Sequence, residues 1–222
     1  MTDTKEDYRN SQYCPNLVDV KEKKDSLDAL IRKESPRTKI IYNKISSREE
    51  KYNKMFAEIY NCKCGYCGCQ WGLLPLESFE VDHFINEASF LKTAEGKSEA
   101  GKIDNLIWSC VSCNRGKQGL TIEAPYTELL NPDFANIASV FERDEQYYIK
   151  ISEKYKGDKF INKFYEQLHL GYEARRLDYL LLEMAGLCQR ETDEKKKNKL
   201  YRMMFQLSSK RNKTSVYENK NN

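Results

Sequence analysis

The chain has 222 residues, 40% hydrophobic and 32% charged, with a net charge of +3 and a mean hydropathy of −0.79. It is long enough to bury a core, and no apolar run approaches the ~20 residues a membrane span requires. Residues 1–25 are polar and mixed in charge, which does not fit a secretory leader, so the expected location is the cytoplasm.

Residues 1–24 show no clear periodicity, and 25–34 predict a short helix closed by Ser35-Pro36, since the residue before proline resists the α conformation. Ser46 with Glu49, and Ser47 with Glu50, have capping-box spacing. They predict a helix running to about Asn61, with Tyr52, Met55, Phe56, Ile59 and Tyr60 as its apolar stripe. Residues 62–75 read as a knuckle and turn, marked by Gly65, Gly68, Gly72 and Pro75. Residues 77–84 predict a strand with Phe79, Val81 and His83 on one face, and 86–92 a helical turn. Residues 95–102 predict a flexible polar loop. The loop's Gly96-Lys97-Ser98 is not a phosphate loop, because that motif needs glycine where Leu91 stands. Residues 103–110 predict an extended or short helical approach to a short helix from about Val111. Residues 120–134 read as connector, and 139–142 with 146–151 as a hairpin. Helices are expected at about 158–169, 172–188 and 192–209. The stripes Leu177, Leu180, Leu181, Met184 and Leu200, Met203, Met204, Leu207 in the last two are read as core.

Two cysteine pairs bracket residues 68–109: Cys64-Gly-Tyr-Cys67 and Cys110-Val-Ser-Cys113. Without a secretory signal, paired C-x2-C knuckles favour a metal over disulfides. Four thiolates suit a tetrahedral structural zinc with no open position, so Cys64, Cys67, Cys110 and Cys113 are the expected ligands. Cys62 and Cys69 flank the first knuckle and complicate its register, whereas Cys14 and Cys188 read as ordinary thiols.

The inserted segment carries Asp82-His83 and Asn105, and Asn114, Arg115 and Lys117 follow the last cysteine. Singly, each has a commoner structural use, such as a helix cap for Asn114. Together they supply a base that is neutral near pH 7 and hard oxygen ligands suited to magnesium or manganese. Those are the requirements of a phosphodiester hydrolase. Consecutive strand residues face opposite sides, so Asp82 and His83 must sit at a strand end or bend to share a site.

The order Cys64-Gly-Tyr-Cys67, Val81-Asp82-His83, Asp104-Asn105-Leu106, Cys110-Val-Ser-Cys113-Asn114-Arg-Gly-Lys117 resembles the HNH endonuclease family over residues 62–118. The resemblance implies an α+β protein: a ββα-metal core with a structural zinc, plus a helical C-terminal region. It implies His83 as general base, Asp82 and Asn114 as ligands of one magnesium or manganese ion, and Asn105 orienting His83 through backbone hydrogen bonds. The implied organisation is an N-terminal extension (1–45), the HNH core (46–120), a connector and hairpin (121–152), the helical region (153–212) and a basic disordered tail (213–222).

A further likeness, carried by Asp82-His83-Phe84, Leu130-Asn131-Pro132 and Leu168-His169-Leu170 with Arg176, is to the HNH subunit of Septu-type anti-phage systems. It implies an ATPase partner docked on the C-terminal helices. The chain departs from that group at Asn86-Glu87, where Pro-Lys is usual, so a positive charge becomes negative.

From Lys195 to Asn222 there are nine Lys or Arg against Glu218 alone, a net of +8 that leaves −5 on the rest. Such a tail suits a polyanion, and DNA is the expected partner, with Arg115 and Lys117 on its phosphates. The alternative is a zinc-stabilised module that binds nucleic acid or protein without catalysis.

Overall fold

The computed structural model describes residues 6–14 and 16–214, so the basic tail expected at 213–222 lies mostly outside the described residues. Ten helices and two small antiparallel sheets make up the described chain. The helices are α1 (Val20–Glu34), α2 (Tyr42–Ile45), α3 (Lys51–Ile59), α4 (Ala94–Ala100), α5 (Val111–Lys117), α6 (Tyr126–Leu129), α7 (Ile137–Val140), α8 (Lys159–Gln167), α9 (Glu173–Arg190) and α10 (Glu194–Asn212). Strands β1 (Phe79–His83) and β2 (Leu106–Cys110) pair in the register Phe79↔Cys110 to His83↔Leu106, and β3 (Phe141–Arg143) pairs with β4 (Ile149–Ile151).

The β1–β2 pair is the centre of the site. All five β2 residues are buried, and Phe79 stacks on Trp108 with centroids 5.6 Å apart. Each such fully buried large side chain contributes about 1.5–3 kcal/mol. Helix α5 begins at the residue after β2 and packs against both strands. Gly116 lets α8 approach α5 closely, since a Cβ there would lie 2.1 Å from the Gln167 carbonyl oxygen.

The N-terminal segment is structured around the first knuckle. Arg9, buried, donates to the carbonyls of Gly65 and Pro132 at 2.8 Å each. Lys24 of α1 donates to Asp133 at 2.5 Å, and Tyr60 donates to the same carboxylate at 2.5 Å. Burying Lys24 and Asp133 together keeps either charge from being left unpaired.

Several elements differ from the sequence expectation. Ser46 and Ser47 do not cap a helix: Ser46 closes the unexpected α2, and α3 starts only at Lys51. Residues 95–102 are mostly helix rather than loop, because Thr93 caps α4 by accepting from the Gly96 amide at 3.1 Å and Ala100 is buried. The first half of the expected 139–142 strand is the end of α7, and a turn organised by Asp144 separates β3 from β4. The apolar stripe of α10 is not core: none of its residues is buried, and Tyr201, Met203 and Phe205 are exposed. The stripe of α9 is core at Leu177 and Leu181.

Candidate active site and metal centre

The first knuckle is a tight backbone turn. The Cys64 amide donates to the Cys69 carbonyl at 2.7 Å and the Gly68 amide to the Cys64 carbonyl at 2.9 Å. Gly68 adopts φ +76, and a Cβ there would lie 2.8 Å from the Arg9 carbonyl oxygen, so glycine is required. The Gly65 amide donates to the Trp108 carbonyl at 2.8 Å, which sets the knuckle against β2 and so against the second pair at its end.

The Sγ atoms of Cys64, Cys67, Cys110 and Cys113 all lie within 4.8 Å of one another and all four residues are buried. Cys67 and Cys110 Sγ are 3.8 Å apart, matching the edge of about 3.8 Å that a ~2.3 Å zinc–sulfur bond gives a tetrahedron. The set fits one zinc ion. Cys62 and Cys69 are outside this group of four, although the Cys69 thiol lies against it, hydrogen-bonding Cys110, Cys64 and Cys67. Hydrogen bonds from Cys113 and Cys64 pull the Cys110 thiol well below its ordinary value.

Asp82 and His83 line one cleft of about 390 Å³ together with Asn86, Glu87, Asn114, Arg115, Lys117 and Gln118. They share it because His83 is the last residue of β1, the strand end their adjacency demands. Asp82 is buried; Tyr66 donates to its Oδ2 at 2.6 Å and the Lys117 ammonium lies 3.3 Å from its Oδ1. Burial pushes the Asp82 carboxyl up to about 6, against the lowering effect of Lys117 and Tyr66. The His83 ring packs against Tyr42 at a tilt of 37°, with centroids 4.3 Å apart. Burial holds its pKa below 6.5, with Glu87 opposing and Lys117 assisting, so the imidazole is neutral at pH 7.

Asn105 sits behind the loop that follows His83. Its Oδ1 accepts from the Ile85 amide at 2.8 Å, and its Nδ2 donates to the carbonyls of Ile85 (3.0 Å) and Ala100 (2.8 Å). Asn114, near the start of α5, donates Nδ2 to Glu80 Oε2 at 3.0 Å. A carboxylate only accepts, so this contact fixes which end of the Asn114 amide is nitrogen and leaves its Oδ1 turned from Glu80. Arg115 remains exposed, with one 3.4 Å contact to Glu80. Lys117, expected on a phosphate, is instead buried, and donates to the carbonyls of His83 (2.8 Å) and Phe84 (3.2 Å) beside Asp82.

The HNH endonuclease family model matches residues 64–119. That span begins at the first cysteine of the cluster and ends just beyond α5, so it contains both knuckles, β1, β2 and the cleft. An HNH domain suggests nuclease activity and nucleic-acid binding. The comparisons with curated proteins and with solved structures found no match. Among the described residues, no helix is long and apolar enough to cross a membrane.

Sequence reasoning missed four residues. Tyr66 is the variable residue between two cysteines, and Glu80 lies one strand period before Asp82, a spacing that would have placed both on one face. Tyr42 and Arg175 carried no signal: one precedes any motif, and the other is one of many basic residues on an amphipathic helix. Arg175 donates to Cys110 Sγ at 3.5 Å and Cys113 Sγ at 3.3 Å.

Proposed function

We propose that this protein is a metal-dependent endonuclease that hydrolyses phosphodiester bonds of DNA. The observation that carries the reading is that a neutral, half-buried His83 and a buried Asp82 share one cleft with Asn114 inside the HNH match. The oxygen donors of Asp82 and Asn114 suit magnesium or manganese, and such an ion would offset charge on the phosphate and leaving oxygen. His83 takes the proton of the attacking water. Asn105 fixes the loop after His83, Lys117 keeps Asp82 charged and in place, and Arg115 meets a phosphate. The four cysteines hold a structural zinc that fixes both ends of the hairpin and the start of α5, completing a ββα-metal core. In this reading the HNH core (46–120) is flanked by an N-terminal extension (1–45), a connector and hairpin (121–152), a helical region (153–212) and a basic tail (213–222).

The Septu-type likeness adds a role in anti-phage defence with an ATPase partner on the C-terminal helices, a reading supported by the exposed apolar residues of α10. A second reading, a zinc-stabilised binding module, is favoured by the Lys117–Asp82 ion pair, which engages the carboxylate the ion would need. Incubation of the zinc-loaded protein with plasmid, linear, single-stranded DNA and RNA, in magnesium or manganese, separates them. Cleavage that requires the divalent ion supports the nuclease; binding without cleavage supports the module.

A further inference from the structure

Arg175 is 3% exposed, yet among the described residues no carboxylate forms an ion pair with it. The acids nearest in sequence on α9 are held elsewhere: Asp178 by Arg211 at 2.5 Å, and Glu173 by Lys210 at 2.7 Å. The guanidinium spends its donors on Cys110 Sγ (3.5 Å), Cys113 Sγ (3.3 Å), Ser112 Oγ (2.9 Å) and the Leu168 carbonyl (3.4 Å). Its Nε is buried with no hydrogen-bond partner. A buried cation is costly unless it meets a negative charge. The sulfurs of the cluster supply one as thiolates, and a zinc ion would fix all four in that form, since two positive charges against four negative leave −2 at the cluster.

We propose that Arg175 is a built-in counter-charge of the cysteine metal centre, so that metal occupancy and the docking of α9 and α10 stabilise each other. The inference rests on the zinc reading of the four cysteines. The path is continuous: cluster to Arg175, Arg175 to α9, and α9 to α10 through Asp178–Arg211 and Glu173–Lys210. The planar fork matters as much as the charge, because one guanidinium bridges two sulfurs, a hydroxyl and a carbonyl, which an ammonium cannot span. Coupling of this kind is reciprocal: whatever metal does for the helices, the helices do for the metal.

The test uses the full-length zinc protein. Zinc release to a chromogenic chelator is followed for wild type, Arg175→Met and Arg175→Lys, with the sulfur-to-metal charge-transfer band of the cobalt-substituted proteins as a second readout. Arg175→Met is expected to release zinc about 10–100-fold faster, with Arg175→Lys intermediate and a shifted cobalt band in both. In parallel, amide exchange across α9 and α10 is compared in wild type before and after zinc removal, and is expected to accelerate in both helices. That arm needs no variant and decides the matter if Arg175→Met does not fold. Zinc release by Arg175→Met at the wild-type rate, or exchange in α9 and α10 that ignores zinc, overturns the proposal. A wild type that binds no zinc overturns the zinc reading itself, and the proposal with it.

Discussion

The hydroxyl of Tyr66, between the two cysteines of the first knuckle, donates to Asp82 Oδ2 at 2.6 Å. The cysteine knuckle and the candidate metal-binding carboxylate are therefore joined by a single side chain. Tyr66→Phe removes a hydrogen bond to a buried carboxylate, a loss of about 1.5–3 kcal/mol. Because this bond favours the charged form, its loss moves the Asp82 pKa above 6. The expected result is a cleavage profile whose acid limb shifts to higher pH while zinc content is unchanged. An unshifted limb would show that Tyr66 does not tune Asp82.

Lys117 lies on the opposite side of the same carboxylate, its ammonium 3.3 Å from Oδ1. Lys117→Met leaves Asp82 buried without its counter-ion, a change of about 3–5 kcal/mol if the acid stays charged. The acid instead takes up a proton near neutral pH, so divalent affinity falls more than DNA affinity does. Titration of manganese by calorimetry, beside DNA binding in its absence, distinguishes this from a phosphate-contact role, in which DNA affinity falls first.

Within the cleft, His83 and Asp82 contribute opposed pH terms to the stability of the metal-free protein. His83 has a lowered folded pKa, so the unfolded chain binds more protons and stability rises as pH climbs to 6.5. Asp82 has a raised folded pKa, so its contribution is present below 3.8 and is lost as pH rises through about 6. Glu87 raises the His83 value, so Glu87→Gln is expected to lower the midpoint of the His83 imidazole titration followed by NMR. A midpoint unchanged by Glu87→Gln would mean the two side chains are not electrostatically coupled.

Asn105, just before β2, makes three side-chain hydrogen bonds, two to Ile85 in the loop after His83 and one to the Ala100 carbonyl at the end of α4. Asn105→Ala is expected to cost about 1–3 kcal/mol in unfolding free energy. It should reduce kcat more than DNA affinity, because it loosens the base rather than a substrate contact. Denaturant titration and single-turnover cleavage provide the two measurements. A variant that folds less stably but cleaves at the wild-type rate would restrict Asn105 to a structural role.

Much of the hairpin was legible because its residues occur in a fixed order and each type has one favoured use there. The C-x2-C spacing marked the knuckles, and the period of two marked β1. The strand-end position of His83 followed from the adjacency of Asp82. Less was legible where one residue type serves two ends. Lys117 after the last cysteine reads as a phosphate contact, yet a lysine stem can also turn inward and neutralise a buried acid, as it does here. Ser46 and Ser47 matched a capping spacing, but the chain had already entered α2 from Tyr42. The polar run around Gly96-Lys97-Ser98 concealed α4, whose start depends on Thr93, outside the run. Arg175 could not be assigned at all, since contact between α9 and cysteines 62 and 65 positions earlier is a property of the tertiary fold alone.

The central claim is that His83 acts on a phosphodiester from within a zinc-held hairpin. The most direct measurement compares wild type with His83→Ala for cleavage of DNA in magnesium or manganese, with zinc content and circular dichroism recorded on the same samples. Wild type is expected to show divalent-dependent cleavage, and His83→Ala a loss of at least about 100-fold with zinc and fold intact. Cleavage by His83→Ala at the wild-type rate would contradict it.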